Sequence, residues 1–192
     1  MYQPQDFSRL LGTPGFSDTL LNNHFTLYQG YVTNTNKLLE EFDNLRKDGK
    51  ISSPHFAELK RRFGWEFNGM RLHEYYFGNM VKDTVRLDAS SAFYSKLTED
   101  FGSYENWEAD FKGCGTMRGI GWTTLYYNTL AKSMLNVWVT EHDFGHLSGA
   151  VPLLVLDVFE HAYVLDYGLK RADYIGAFFN AIDWSVVSGR FS

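Results

Sequence analysis

One stretch constrains this chain more than any other. The apolar run Val151-Pro152-Leu153-Leu154-Val155-Leu156 ends on a charged residue, Asp157, with His161 four positions further on. A short apolar segment opened by a proline reads as a buried strand. If that strand ends at Asp157 and a helix starts just after it, a carboxylate and an imidazole emerge at one corner of a core. Such a pair is half of a metal site. A plainer arrangement fits the same residues, with an acidic side chain capping a helix and His161 as a satisfied core histidine. The rest of the chain decides between them by supplying further ligands or failing to.

The words DVFEHAYVLDY, from Asp157 to Tyr167, resemble DVWEHAYYxDY, the signature of the iron/manganese superoxide dismutase family. The resemblance implies that Asp157 and His161 are metal ligands. It also implies that Glu160 crosses a dimer interface to hold the partner subunit's ligand histidine. Two positions depart from the signature: Phe159 replaces the usual Trp, and Val164 the usual second Tyr.

His73, in Arg71-Leu72-His73-Glu74-Tyr75-Tyr76-Phe77, resembles the family's second-helix pattern HxxYF, whose histidine is a ligand. A lone histidine on an aromatic helix face is more often a core residue; beside Asp157 and His161 it becomes a ligand candidate. On the first helix, Tyr31-Val32-Thr33-Asn34 resembles the end of the family pattern HxxxHHxxYV, in which the ligand stands eight residues before the Tyr. Here Asn23 is eight residues before Tyr31, and His24 is seven. At about 100° per residue, seven residues fall roughly 20° short of two turns and keep His24 on the face of Tyr31. Eight would put the two about 80° apart unless the helix carries a one-residue π-bulge. A helix without the bulge therefore places His24 at the metal. Asn23 is the alternative, and there it would leave the site without a strong ligand. The pattern's second-shell histidine becomes Leu27 or Tyr28, and its tyrosine partner across the dimer becomes Val164. The resemblance thus implies that one cross-subunit hydrogen bond is missing.

Further site residues follow from the resemblance. Trp122, in Gly119-Ile120-Gly121-Trp122, is similar to the tryptophan of GSGWxWL that walls the site. After the second strand the family carries a Gln or His that hydrogen-bonds metal-bound solvent, and in Val139-Thr140-Glu141-His142-Asp143 that position matches His142. His142 as an extra ligand or a turn residue remains open, and His146 is the weaker candidate for the same position. Tyr31 would gate the substrate and link the solvent to bulk water. Arg171, in Lys170-Arg171-Ala172-Asp173-Tyr174, either adds local positive potential or forms a solvated basic turn. Three imidazoles and one carboxylate suit Fe or Mn, one ion per subunit, better than structural Zn. The implied activity is conversion of superoxide to dioxygen and hydrogen peroxide. The alternative is a degenerate dismutase fold that binds metal or a partner without turnover, which Asn23 at the ligand position would favour.

Composition narrows the remaining possibilities. A formal net charge of −5 argues against general nucleic-acid binding but not against a small anion drawn in by a local basic funnel. The single cysteine, Cys114, excludes an internal disulfide framework and a Cys-based zinc cluster, and reads as a free thiol. Neither a basic leader followed by an apolar segment nor a bilayer-length apolar run is visible, so a soluble cytoplasmic protein is expected. The expected partners are superoxide and further copies of the chain, in a dimer or higher homo-oligomer, without nucleic acid or membrane. Helical periodicity predicts helices over 19–45, 54–80, 90–100, 103–113 and 172–188; β-rich runs predict strands over 121–130, 134–140 and 151–156. Gly64 and Gly69 interrupt the pattern of the second helix. This order predicts an α+β fold, with an N-terminal antiparallel α-helical hairpin and then a C-terminal domain whose three-stranded antiparallel sheet is flanked by helices. The charged connector 83–89 divides the chain into expected domains 1–85 and 86–192, with the metal site between them.

Overall fold

Four serines start the first four α-helices. Ser17, Ser53, Ser91 and Ser103 each accept a hydrogen bond from the backbone N–H three residues on, opening α1 (Asp18–Lys47), α2 (Pro54–Gly78), α3 (Ala92–Phe101) and α4 (Tyr104–Gly115). Pro54 follows its cap at the first helical position, where a missing N–H costs nothing. The computed structural model describes residues 1–191; Ser192, the last residue of the expected second domain, lies outside the described residues. Among the described residues no helix is long and apolar enough to cross a membrane.

With 30 residues, α1 runs about 45 Å. It pairs antiparallel with α2: Phe42 packs on Phe56 near the connecting turn, while further along Tyr28 Oη donates to Glu74 at 3.0 Å. Neither glycine breaks α2. Gly69 is buried because the Tyr31 ring of α1 rests on it, so a Cβ there would lie 2.5 Å from Tyr31 Cδ1. The gap in the hydrophobic pattern at this position is a docking site for a ring.

The sheet has the order β2-β1-β3 and is antiparallel throughout, with β1 at Gly121–Asn128, β2 at Ser133–Thr140 and β3 at Ala150–Asp157. Central strand β1 sets the register that matters, pairing Trp122 with Val139 on one side and with Asp157 on the other. Pro152 is tolerated because β3 is an edge strand, and the ladder shifts register next to it, between Leu125 and Tyr126. The open edge is covered from outside. Asn79 accepts from Val155 N at 3.0 Å and donates to Val155 O at 3.3 Å, while Arg190 Nη1 donates to Leu153 O at 2.7 Å.

Two expectations need correction. No helix follows Asp157 directly: the chain makes a 3-10 turn at Glu160–Ala162, which carries His161, and then a single helical turn α5 at Val164–Tyr167. The closing helix is two helices, α6 (Arg171–Asn180) and α7 (Trp184–Gly189). They part because Ile182 and Asp183 form β-bridges to Met80 and Val85, and because the Asp183 side chain caps α7 through the Ser185 and Val186 N–H groups.

Gly64 and Gly69, in the interior of α2, make opposite predictions. Alanine normally stabilises a helix interior by about 1 kcal/mol over glycine. Gly64→Ala should do so, since its Cβ would meet only Asp143 Cβ at 3.8 Å. Gly69→Ala should instead destabilise by about 1–3 kcal/mol through overlap with Tyr31. Urea midpoints of the two variants read the difference; a stabilised Gly69→Ala would contradict the packing described.

Candidate metal centre

Asp157 leaves the end of β3 with no exposure to solvent, and three imidazoles meet one of its oxygens. His24 Nε2 lies 3.2 Å from Oδ2, His161 Nε2 3.3 Å and His73 Nε2 3.7 Å. The other oxygen, Oδ1, accepts from Phe159 N at 2.8 Å. The four ligand atoms lie within 4.8 Å of one another. Each comes from a different local structure: α1, α2, the end of β3 and the 3-10 turn. The turn matters, because it folds the chain back so that residue 161 faces the residue 157 carboxylate.

The polar atoms of the donor set themselves fit a cation. His73 Nδ1 bonds Gly69 O at 2.5 Å, and since a carbonyl only accepts, the proton is on Nδ1. Nε2 therefore presents a lone pair; it is buried without any hydrogen-bond partner and faces a carboxylate oxygen. Two lone pairs directed at one another in a dry interior cost energy that a cation between them removes. Protonation states agree. Burial holds the His24 imidazole below its ordinary pKa, against the opposing pull of Asp157. Burial and then the neighbouring His24 hold His73 well below it. For Asp157, burial alone would raise the carboxyl pKa, but His161 and His24 outweigh it and keep the group ionised. Neutral imidazoles and an ionised carboxylate are the states metal binding requires.

On α1 the structure places His24 in the cluster and Asn23 at the surface. The helix is uninterrupted α from Asp18 to Lys47, without a bulge; His24 is buried and Asn23 is exposed. Tyr31, seven residues after His24, shares its face, and its ring stacks on His73 with centroids 5.2 Å apart. Tyr28, a candidate for the missing second-shell histidine, turns inward to Glu74 and the Gln5 N–H, and Leu27 is half-buried.

His142 stands beside this cluster and outside it. Its Nδ1 accepts from Trp122 Nε1–H at 3.1 Å, and its Nε2 lies 2.7 Å from Tyr31 Oη. An indole N–H can only donate, so in the neutral ring the proton is on Nε2 and is given to Tyr31. Burial keeps the ring neutral, lowering its pKa to about 4. Burial likewise pushes the Tyr31 hydroxyl up to about 12. Phe159 is sandwiched between His142 and His161, at 4.8 and 5.2 Å, and Trp65 meets His142 edge-on at 4.8 Å. Trp122 is fully buried and stands 5.0 Å from His73. His146 does not approach the cluster; it bonds the His142 carbonyl. Glu160 is exposed on the outer side of the turn. Arg171 is neither free nor a solvated turn. It donates to Met117 O at 2.6 Å and Gly119 O at 2.8 Å and lies over the Tyr163 ring, tying the segment before β1 to α6.

The family model for iron/manganese superoxide dismutases, C-terminal domain, matches residues 89–190, more than half of the 192-residue chain. The chain belongs to the iron/manganese superoxide dismutase family. Superoxide dismutase (Mn) 2 of Haloferax volcanii is 35% identical over 179 residues, covering 93% of this chain and 88% of that protein. Superoxide dismutase (Fe) of Aquifex pyrophilus is 32% identical over 194 aligned residues, covering 98% and 90%. Superoxide dismutase (Fe) of Cupriavidus metallidurans is 34% identical over 183 residues, covering 93% and 89%. In this member of the family, two supports of the cluster escaped the sequence. Tyr174 Oη donates to Asp157 O at 2.6 Å and accepts from Tyr76 Oη at 3.0 Å, and Gly69 O orients His73. Buried hydroxyls and carbonyl partners carry no spacing signal that a sequence reading could use.

The buried neutral histidines predict how the metal-free protein responds to acid. In the unfolded chain a histidine takes up a proton near pH 6.5, whereas folded His24, His73 and His142 resist it. Stability is therefore present above that pH and falls as pH drops below it, in the case of His142 until about pH 4. Asp157 adds stability that is lost only below the ordinary carboxylate range. Urea unfolding of chelator-treated protein should give a clearly lower midpoint at pH 5 than at pH 7.5. Equal midpoints would contradict the protonation states given above.

Proposed function

We propose that this chain is a superoxide dismutase holding one iron or manganese ion with His24, His73, Asp157 and His161. The observation that carries this is the convergence of three imidazole nitrogens on one buried carboxylate oxygen. Family membership and relatives named for manganese and for iron support the same reading. Within it, the two halves 1–85 and 86–192 each contribute two ligands, and the site lies where they meet.

When bound, the metal supplies one-electron chemistry, taking an electron from one superoxide and returning it to the next, so that two superoxides and two protons give dioxygen and hydrogen peroxide. The protein's part is to bind, orient and manage protons. His142 Nε2–H holds Tyr31 Oη as an acceptor, which leaves the Tyr31 proton free to be directed into the site. Trp122 fixes the His142 tautomer, and with Phe159 and Trp65 it encloses the ring away from bulk water. We assign Tyr31 to substrate access and proton supply, and His142 to tuning of the metal by outer-shell hydrogen bonding. Trp122 forms the wall. His161 is the ligand that reaches the outer surface, its side chain 30% exposed, and Glu160 beside it is the group offered to a second subunit. Val164 and Leu165 leave apolar side chains exposed on the same segment, as do Met117 and Ile120 on the segment that Arg171 ties down. This pattern fits a homodimer.

The deciding experiment measures the superoxide dismutation rate per bound metal on protein reconstituted separately with iron and manganese. Turnover well above that of free metal is expected with at least one of them; full occupancy without turnover would overturn the reading. His24→Ala should weaken metal binding more than about a hundredfold, while Asn23→Ala leaves binding and rate within about twofold. His142→Ala should retain metal and lose about 10–100-fold in turnover with an altered reduction potential; loss of all metal would instead make it a ligand.

A further inference from the structure

His142 occupies a loop whose backbone is held in an unusual way. The residue before it, Glu141, has φ +54°, in the left-handed region that a side chain disfavours. Gly145 has φ +105°, and a Cβ there would sit 2.8 Å from Trp138 O, so the loop folds tightly onto β2. Thr140 N donates to Phe144 O at 2.8 Å and closes the turn. A loop of this kind needs an anchor if the ring it carries is to keep one orientation.

His146 is that anchor. Its Nε2 lies 2.8 Å from the His142 carbonyl, which can only accept, so the proton is on Nε2. Its Nδ1 is then an acceptor and takes the Tyr126 hydroxyl proton at 2.8 Å. Tyr126 is on β1, four residues from Trp122, and alternation along a strand puts both on one face. The central strand thus grips His142 twice: Trp122 holds its ring, and Tyr126 holds its backbone through His146. We propose that His146 and Tyr126 are positioning residues that fix His142 against Trp122 and Tyr31, and so set the outer-shell hydrogen bonding of the metal site. This rests on the tuning role assigned to His142 above. Neither residue touches the metal ligands; they act through the ring they place.

The test compares His146→Ala, His146→Gln, Tyr126→Phe and His142→Ala in metal-loaded protein. Glutamine can replace histidine at both ends, its amide N–H donating to the His142 carbonyl and its oxygen accepting from Tyr126. The expected result for His146→Ala is full metal content, a reduction potential displaced toward that of His142→Ala, and turnover per metal down about tenfold, the lower end for outer-shell partners of a metal site. Tyr126→Phe should move the potential in the same direction by less, because the bond to the carbonyl survives. His146→Gln should restore both readouts. In zinc-loaded protein, the Trp122 indole N–H seen by NMR should exchange faster with solvent in His146→Ala and normally in His146→Gln. An unchanged potential and unchanged indole exchange in His146→Ala would overturn the clamp while His142→Ala still shifts the potential. Loss of metal in His146→Ala without rescue by Gln would reduce His146 to a structural role and overturn it as well. If His142→Ala itself leaves the potential unmoved, the tuning role fails first, and the clamp fails with it.

Discussion

Everything else in this structure is arranged around one ionised carboxylate in a dry interior. Asp157 has no exposure, and a lone charge there is untenable without compensation. Part of that compensation is visible: Phe159 N on Oδ1, two histidines within hydrogen-bond reach of Oδ2, and Tyr174 fixing the backbone carbonyl behind it. The remainder is not, because His73 brings a lone pair rather than a proton. With His24 and His73 held neutral by burial, the negative charge of Asp157 is not balanced by them, and a cation completes the balance. This is why the same atoms that would be awkward as a hydrogen-bonded core make sense as a coordination shell.

Around that shell the fold works as a set of rulers. The register of β1 puts Trp122 opposite Asp157, so the indole and the carboxylate are neighbours by strand pairing alone. The straight α1 puts His24 and Tyr31 on one face, and Gly69 lets Tyr31 settle against α2 close enough to stack on His73. From Tyr31 the hydrogen bonds run to His142 and on to Trp122, returning to the strand that pairs with Asp157. The His/Asp cluster and the His142 network are thus two parts of one closed circuit of contacts, and a shift in α1 would disturb both.

Much of this was legible in the sequence because it depends on local spacing. The order of helices and strands followed from periodicity. Asp157, His161 and His73 stood out in DVFEHAYVLDY and in the His73 to Phe77 segment, and helical geometry favoured His24, the α1 histidine that the structure brings to them. What could not be read depends on tertiary contacts. The split between α6 and α7 arises from bridges to Met80 and Val85, far away in sequence. Gly64 and Gly69 look alike as helix breakers, yet one faces open space near Asp143 and the other a tyrosine ring. The 3-10 turn at Glu160–Ala162 differs from a helix start only in hydrogen bonding, although it decides which way His161 points. The tyrosine pair behind Asp157 and the clamp behind His142 are contacts of side chains with carbonyl groups, for which no residue pattern exists.

The central claim is that four particular atoms enclose one redox metal. Anomalous X-ray diffraction from crystals of the reconstituted protein, recorded on both sides of the iron and manganese absorption edges, tests it most directly. One anomalous peak per chain is expected, within coordination distance of His24 Nε2, His73 Nε2, His161 Nε2 and Asp157 Oδ2, with Asn23 turned to solvent. An active, metal-loaded protein whose peak lies elsewhere, or whose fourth protein ligand is His142 in place of His24, would contradict it.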